Sequence, residues 1–136
     1  GLNYAIVYFY NVYGNKEIYE GRYSTLIAKY AKLCSDGAIS LPVVKPGTQE
    51  RNFTHISDIV SALDLVAEKG SGDDFGIGAE ESYSVLDVVT MFGKAVEWLP
   101  ERQGNRLTAE LKAEKTRALG WHPVGSLKKY IQGKIF

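Results

Sequence analysis

The chain has 136 residues, 45% of them hydrophobic and 24% charged, which is an ordinary composition for one globular domain. Its 16 basic and 16 acidic side chains cancel, and this balance argues against the broad positive surface of a nucleic-acid-binding protein. The single cysteine, Cys34, excludes an internal disulfide and favours a reducing compartment. With no apolar run of membrane-spanning length and no signal-peptide pattern, the sequence predicts a soluble cytoplasmic protein without a membrane partner.

Residues 4–10 are the first predicted strand. They form a continuous run of apolar and aromatic residues, which is typical of a strand covered on both faces in a parallel sheet. The polar turn 11–14 ends it. Because the chain opens directly on this strand pattern without an initiator methionine, we expect it to be a piece of a longer protein.

The next elements are predicted from helical spacing and turn residues. Apolar residues recur at the helical period after Ser24 or Thr25, which are plausible N-caps, and Gly37 ends this helix. Residues 41–44 are predicted to be a short strand, whose proline favours an edge or entry position. The Pro-Gly pair in 45–48 predicts a turn.

The second half of the chain repeats the alternation. Residues 51–56 alternate in polarity and predict one short strand, after which Ser57 or Asp58 caps a helix. A loop at 70–74 is followed by a strand around 75–77.

Ser84 is predicted to open the next helix, which ends near Gly93, and a strand follows at 95–99. A short helix is predicted over 112–119, and Ser126 caps the last one. Strands that alternate with helices predict an α/β fold.

The residues that carry chemistry are few. The sequence has neither a glycine-rich dinucleotide loop nor a P-loop, and no cysteine–histidine cluster for a metal. His55, inside an apolar segment, is better explained by a structural hydrogen bond. On its own residues, the chain does not have the pattern of a complete enzyme.

Three polar positions remain as candidates. Asn11 follows the first strand, and ligands of open α/β folds gather beyond the carboxyl ends of strands; asparagine also serves simply as a turn residue. Arg51 offers a planar fork of donors for phosphate, although most surface arginines bind nothing specific. The loop 102–105 contains arginine, glycine and asparagine, which suit a ligand loop and a solvated loop equally well.

Four motifs, taken in order, resemble one family. They are residues 9–14 (Phe-Tyr-Asn-Val-Tyr-Gly), 51–60 (Arg-Asn-Phe-Thr-His-Ile-Ser-Asp-Ile-Val), 83–89 (Tyr-Ser-Val-Leu-Asp-Val-Val) and 119–123 (Leu-Gly-Trp-His-Pro). Together they resemble the NAD-dependent epimerase/dehydratase family of extended short-chain dehydrogenases/reductases, which includes UDP-glucose 4-epimerase. The resemblance implies that residues 1–136 are the carboxy-terminal, nucleotide-sugar-binding domain, with the last strands of the Rossmann sheet. The amino-terminal half, with its NAD loop and Tyr-x-x-x-Lys pair, would precede Gly1.

The resemblance also implies the diphosphate contacts of the substrate. Asn11 matches an asparagine that contacts the nucleotide-sugar diphosphate, and Arg51 and Arg102 match two diphosphate-binding arginines. The chemistry of the residues and the family pattern thus select the same three positions. Asn52 stands where relatives frequently have aspartate.

Further positions follow from the same resemblance. Leu26, Pro42 and Val44 fall near the nucleotide base, and Asn105 stands where many relatives bind the ribose through an aspartate. Tyr10 occupies a position on the nicotinamide side of NAD. No catalytic residue is expected within this chain.

The function implied by the resemblance is a UDP-glucose 4-epimerase-like reaction, in which NAD transiently oxidises the sugar to a keto sugar. A 4,6-dehydratase, reductase or decarboxylase of the same superfamily is an alternative. From another class, a non-catalytic nucleotide- or protein-binding module is possible. The parent enzyme is expected to form a homodimer through the absent half.

Overall fold

The computed structural model describes residues 1–104 and 110–134. Along the chain its elements are β1 (Ala5–Phe9), β2 (Val12–Tyr13), α1 (Leu26–Ser35), β3 (Ser40–Val44), β4 (Glu50–Asn52), β5 (Thr54–His55), α2 (Ile56–Lys69), β6 (Gly72–Ile77), β7 (Ser82–Ser84), α3 (Val85–Phe92), β8 (Ala95–Leu99), α4 (Glu114–Arg117) and α5 (Leu127–Gln132). This alternation of strands and helices confirms the predicted α/β class.

The strands pair two by two within the described residues. β1 pairs with β6, β2 with β5 and β3 with β8, all in parallel, whereas β4 and β7 are antiparallel. Each parallel pair joins strands that are distant in sequence, so helices and loops must cross between them.

The helix ends follow the local signals. Thr25 is the N-cap of α1, and its side chain accepts from the backbone N–H of Ala28. Ser84 caps α3 in a reciprocal capping box with Asp87. Gly93 ends α3 in the left-handed conformation, with a φ of 69°. These boundaries confirm the predictions made from capping residues.

The segment 51–56 is not the single strand predicted from its alternation. Glu50–Asn52 pairs with β7, while Thr54–His55 pairs with β2. Phe53, which separates them, is buried at 6% exposure. Because the aromatic side chain turns into the core at this point, the chain changes its strand partner there.

The start of α2 also differs from the prediction. His55, rather than Ser57 or Asp58, is the N-cap, and its Nδ1 accepts from the backbone N–H of Ser57 at 3.2 Å. The carboxylate of Asp58 instead accepts from the backbone N–H groups of Val124 and Gly125, at 3.0 and 2.8 Å. Asp58 is thereby used to hold the segment before α5, and the predicted structural role of His55 is confirmed.

Two further differences between prediction and structure concern where β6 begins and how long α4 is. Residues 72–74, predicted as loop, are part of β6: Gly72 pairs with Ala5 of β1, and Asp73 and Asp74 lie where the register between the two strands shifts. The helix predicted over 112–119 is reduced to Glu114–Arg117.

The apolar interior forms two clusters of buried residues. The larger core joins α1, β3, α3 and α5 and consists of Tyr13, Ile27, Tyr30, Cys34, Leu41, Val43, Phe53, Val88, Val89, Phe92, Leu127 and Ile131. The smaller core lies between α2 and β6 and consists of Ile59, Ala62, Ile77 and Trp121.

The expectation that both faces of β1 are covered is wrong for the described residues. Ile6 and Tyr8 are 41% and 47% exposed, and Val60 on α2 is 51% exposed. Side chains alternate between the two faces of a strand: within the described residues Val7 packs against the smaller core on one face, whereas Ile6 and Tyr8 lie on the other face and are not covered in this way. The apolar side chains of β1 therefore meet solvent on one side.

Candidate functional site

An open cavity of about 550 Å³ lies between the start of α1, the ends of β3 and β8, and β4. It brings together six of the predicted site residues: Asn11, Leu26, Pro42, Val44, Arg51 and Arg102. Other residues that line it are Gly21, Arg22, Ser24, Thr25, Lys29, Tyr30, Gln49, Phe53, Val85 and Leu99.

Asn11 reaches the cavity because of an unusual backbone conformation. Its φ is 37°, in the left-handed region that asparagine tolerates better than most residues. Its Nδ2 donates to the carbonyl of Asn52 at 3.2 Å, and its own carbonyl accepts from the N–H of Thr54 at 3.3 Å. A carboxamide has two N–H donors and an acceptor oxygen, so this turn geometry is compatible with a ligand contact.

Arg51 is held at the cavity wall by β4. Its Nη1 donates to the carbonyl of Glu50 at 2.7 Å, and the side chain is half-buried. The next residue, Asn52, is buried, and its Nδ2 donates to the carbonyls of Ala79 and Glu80 at 2.9 and 3.2 Å. An ionised aspartate has no donor for these carbonyls, so this chain uses asparagine to fix β4 against the segment after β6.

Two polar contacts hold α1 against its neighbours. The hydroxyl of Tyr30 donates to the carbonyl of Pro42 at 2.6 Å, which ties α1 to β3. Burial raises the pKa of Tyr30 to about 12, so this phenol stays neutral and acts structurally. On the other side, Glu17 accepts from the N–H of Gly14 at 2.8 Å and from the hydroxyl of Thr25.

The charges around the cavity have one sign. Among the described residues that line it, Arg22, Lys29, Arg51 and Arg102 are basic, and none is acidic. Side chains of this kind match phosphate oxygens, which are acceptors only. The arrangement is therefore suited to an anionic ligand with an apolar part.

Arg22, Lys29 and Gln49 were missed by the sequence analysis. Lys29 lies four residues after Thr25, one helical turn away, so the helical period could have placed it beside the cavity. Arg22 and Gln49 lie in loops, and no local pattern indicates where their side chains go.

Tyr10 does not join the other predicted site residues. It lines a different cavity, with Tyr8, Asp74, Gly76, Glu110, Lys112, Glu114 and Lys115. Its hydroxyl accepts from the N–H of Lys112 at 3.3 Å. A Cβ at Gly76 would lie 1.8 Å from the carbonyl oxygen of Lys112, so the segment before α4 passes directly over β6 here. Asn105 lies outside the described residues.

Other kinds of site are not seen in the parts of the chain that the structure describes. No group of three or more histidine, cysteine or acidic residues there has the geometry to hold a metal ion. Within residues 1–104 and 110–134, no helix is long and apolar enough to cross a bilayer.

The fold and cavity define an α/β domain that suits an anionic, partly apolar ligand. A family model described as the NAD dependent epimerase/dehydratase family matches residues 1–78. The chain belongs to this family, which confirms the resemblance drawn from its motifs.

Comparison with individual proteins gives the same family. The low-salt glycan biosynthesis protein Agl12 of Haloferax volcanii is 30% identical over 118 residues, covering 81% of this chain and 38% of that protein. The dTDP-D-glucose 4,6-dehydratase of Bos taurus is 28% identical, covering 92% of this chain and 38% of that protein. The crystal structure of UDP-glucose 4-epimerase from Thermotoga maritima with UDP-glucose has a TM-score of 0.88 and 25% identity, covering 96% of this chain and 44% of that one. The chain thus spans less than half the length of these proteins.

Proposed function

We propose that this chain is the nucleotide-sugar-binding domain of an NAD-dependent nucleotide-sugar epimerase that resembles UDP-glucose 4-epimerase. The observation that carries the proposal is the single cavity lined by Asn11, Arg51 and Arg102, with basic and without acidic side chains among its described lining residues. Membership of the epimerase/dehydratase family supports it, as does the likeness to an epimerase solved with UDP-glucose.

The first task of these residues is to anchor the diphosphate. The guanidinium groups of Arg51 and Arg102 offer parallel N–H donors to phosphate oxygens, and their charge assists each hydrogen bond. Asn11 adds a neutral donor beside them. Leu26, Pro42 and Val44 form an apolar wall for the base, and we assign Asn105 to the ribose.

The second task is to orient the sugar. When base and diphosphate are anchored, the sugar is held in one position, and binding energy from the non-reacting nucleotide is used to place the reacting carbon. We expect no acid or base within this chain, and Tyr30, the phenol of the cavity, stays protonated and bonded to Pro42. Residues outside this chain would therefore carry out proton transfer and hold NAD, and Tyr10 would lie on the nicotinamide side of NAD.

A sugar-nucleotide 4,6-dehydratase, reductase or decarboxylase would use the same anchor, because these reactions differ at the sugar and not at the diphosphate. We further propose that the parent enzyme is a cytoplasmic homodimer whose contacts lie outside this chain. Buried, unbridged Cys34 is compatible with a reducing compartment.

The test is calorimetry of UDP-glucose binding to the full-length protein. We expect Arg51→Ala to weaken binding by about 1.5–3 kcal/mol, the size of a charge-assisted hydrogen bond. Lys69→Ala, which removes one positive charge in the last turn of α2, is the matched control and should leave affinity unchanged. Equal affinity of Arg51→Ala and the native protein would remove Arg51 from the diphosphate site.

Product analysis of the same protein separates the reactions. Incubation with UDP-glucose and NAD should give the 4-epimer, whereas a 4-keto-6-deoxy sugar would indicate a dehydratase instead. Binding through Arg51 without any conversion would favour the non-catalytic module.

A further inference from the structure

Tyr83 lies directly opposite Arg51 in the antiparallel pair formed by β4 and β7. The register aligns Arg51 with Tyr83, and the N–H of Val85 donates to the carbonyl of Gln49 at 3.3 Å, which continues the pairing by two residues. Directly opposite side chains project from the same face of an antiparallel pair, with Cβ atoms about 4.5–5.5 Å apart. Tyr83 and Arg51 are therefore neighbours on one face.

This face borders the cavity. Arg51 and Gln49 line the cavity, and so does Val85 on the opposite segment; side chains two residues apart in extended backbone share a face. Tyr83 is half-buried and packs against the larger core, and it is not among the described residues that line the cavity. An effect of Tyr83 on a ligand in the cavity must therefore pass through a neighbour such as Arg51.

The hydroxyl of Tyr83 holds the carboxylate of Glu81. Its Oη donates to Oε2 of Glu81 at 2.6 Å. This bond, together with burial, raises the pKa of Tyr83 to about 12, so the phenol keeps its proton at neutral pH and remains a donor. Because Glu81 precedes Tyr83 by two residues, the ring leans along the strand toward Glu81 and away from Val85.

Glu81 is a competing partner for Arg51. A residue two places from the directly opposite one is a diagonal neighbour, about 7–8 Å away and within reach of long side chains. Carboxylates and guanidinium groups form strong, charge-assisted pairs, so a Glu81 carboxylate released by Tyr83 would attract Arg51 away from the cavity. In the structure, Nη1 of Arg51 instead donates to the carbonyl of Glu50 at 2.7 Å, and Arg51 lines the cavity.

We infer that Tyr83 is a positioning residue, which keeps Arg51 directed into the cavity by occupying the carboxylate of Glu81. This inference rests on the proposed function, in which Arg51 anchors the diphosphate. Tyr83 acts without touching the ligand. A diphosphate then meets an arginine that does not have to leave a carboxylate first, and such preparation of the site raises affinity.

The experiment is calorimetry of the full-length protein with UDP and inorganic pyrophosphate, and with uridine as a probe that has no phosphate. Tyr83→Phe keeps the ring and removes the hydroxyl. We expect this variant to bind UDP and pyrophosphate about fivefold more weakly, because Glu81 then draws Arg51 away. Uridine should bind the native protein and Tyr83→Phe equally, since it does not reach Arg51.

Glu81→Gln distinguishes positioning from a merely structural role. Added to Tyr83→Phe, it should restore both affinities to within about twofold of the native values, because the competing charge is gone. Alone, it should change them by less than about twofold. A structural role of the hydroxyl would leave the loss in place, since an amide at position 81 does not replace a hydroxyl at position 83. In Arg51→Ala, the addition of Tyr83→Phe should have no further effect.

Three results would overturn the role of Tyr83. They are native affinity for both phosphate probes in Tyr83→Phe, a loss that Glu81→Gln does not restore, and an equal gain from Glu81→Gln with and without the hydroxyl, which would reflect its charge alone. If UDP and pyrophosphate do not bind the native protein, or bind Arg51→Ala as tightly, the proposed function fails instead. Should Tyr83→Phe not fold, Tyr83→Leu also lacks the hydroxyl and is measured with the same expectations.

Discussion

The region around the cavity and the region formed by β1, β6 and α2 differ in how completely they are closed. Within residues 1–104 and 110–134, twelve buried residues form the larger core beside the cavity and four form the smaller core. The cavity walls are tied together by polar contacts such as Tyr30 to Pro42. In contrast, β1 and α2 expose Ile6, Tyr8 and Val60.

Free energy from apolar burial is proportional to the area removed from water, so the larger core contributes more of it than the smaller one. The β1–α2 region would gain further stability from a neighbour, and the edge of β1 that pairs with no strand among the described residues offers backbone groups to another strand. This contrast supports the proposal that the chain is one domain of a longer enzyme.

The largest effect is expected for Trp121→Ala. Trp121 is 1% exposed, is one of the four residues of the smaller core, and donates through Nε1 to the carbonyl of Asp58 at 2.9 Å. We expect a loss of about 3–5 kcal/mol in the free energy of unfolding, as for other buried tryptophans. Urea denaturation followed by circular dichroism measures it.

Trp98→Ala is the matched control, because Trp98 is 48% exposed and its removal should cost far less. Equal losses for the two variants would contradict the importance given to the smaller core.

Asn52→Asp should have an intermediate effect. The change replaces a donor that serves Ala79 and Glu80 by a carboxylate that repels both carbonyls, and we expect a loss of about 2 kcal/mol at neutral pH. Burial raises the pKa of such a carboxyl in the folded state, so the variant is most stable at low pH and loses stability as pH rises through that pKa.

Denaturation at several pH values checks this expectation, with Asn3→Asp at an exposed position as the control. A penalty for Asn52→Asp that does not change with pH would argue against the two bonds of Asn52. UDP affinity should fall in parallel, since β4 also carries Arg51.

The smallest effect is expected for Val60→Ser in the isolated chain. Val60 is 51% exposed, and surface substitutions of this kind change the free energy of unfolding by less than about 0.5 kcal/mol. Val66→Ser, on the same helix at 3% exposure, should cost clearly more.

Repeating the Val60→Ser measurement in the full-length protein sharpens the comparison. A larger loss there would show that the face of α2 is covered, whereas an unchanged value would mean that it stays in solvent.

The sequence by itself determined where α1, α3 and α5 begin and where α3 ends. Thr25, Ser84, Gly93 and Ser126 act on backbone groups within a few residues of themselves, so their patterns can be recognised without knowledge of the rest of the fold. The family motifs likewise selected six residues that the structure brings to one cavity.

Only the tertiary structure decided which strands pair and which side chains line the same cavity. At Phe53, which turns into the core, the chain changes from β7 to β2 as its strand partner, and both partners are distant in sequence. The carboxylate of Asp58 likewise bonds the N–H groups of Val124 and Gly125, on a segment far along the chain. Such contacts depend on residues that are distant in sequence, so no local pattern predicts them, and the cavity became visible only when the chain was folded.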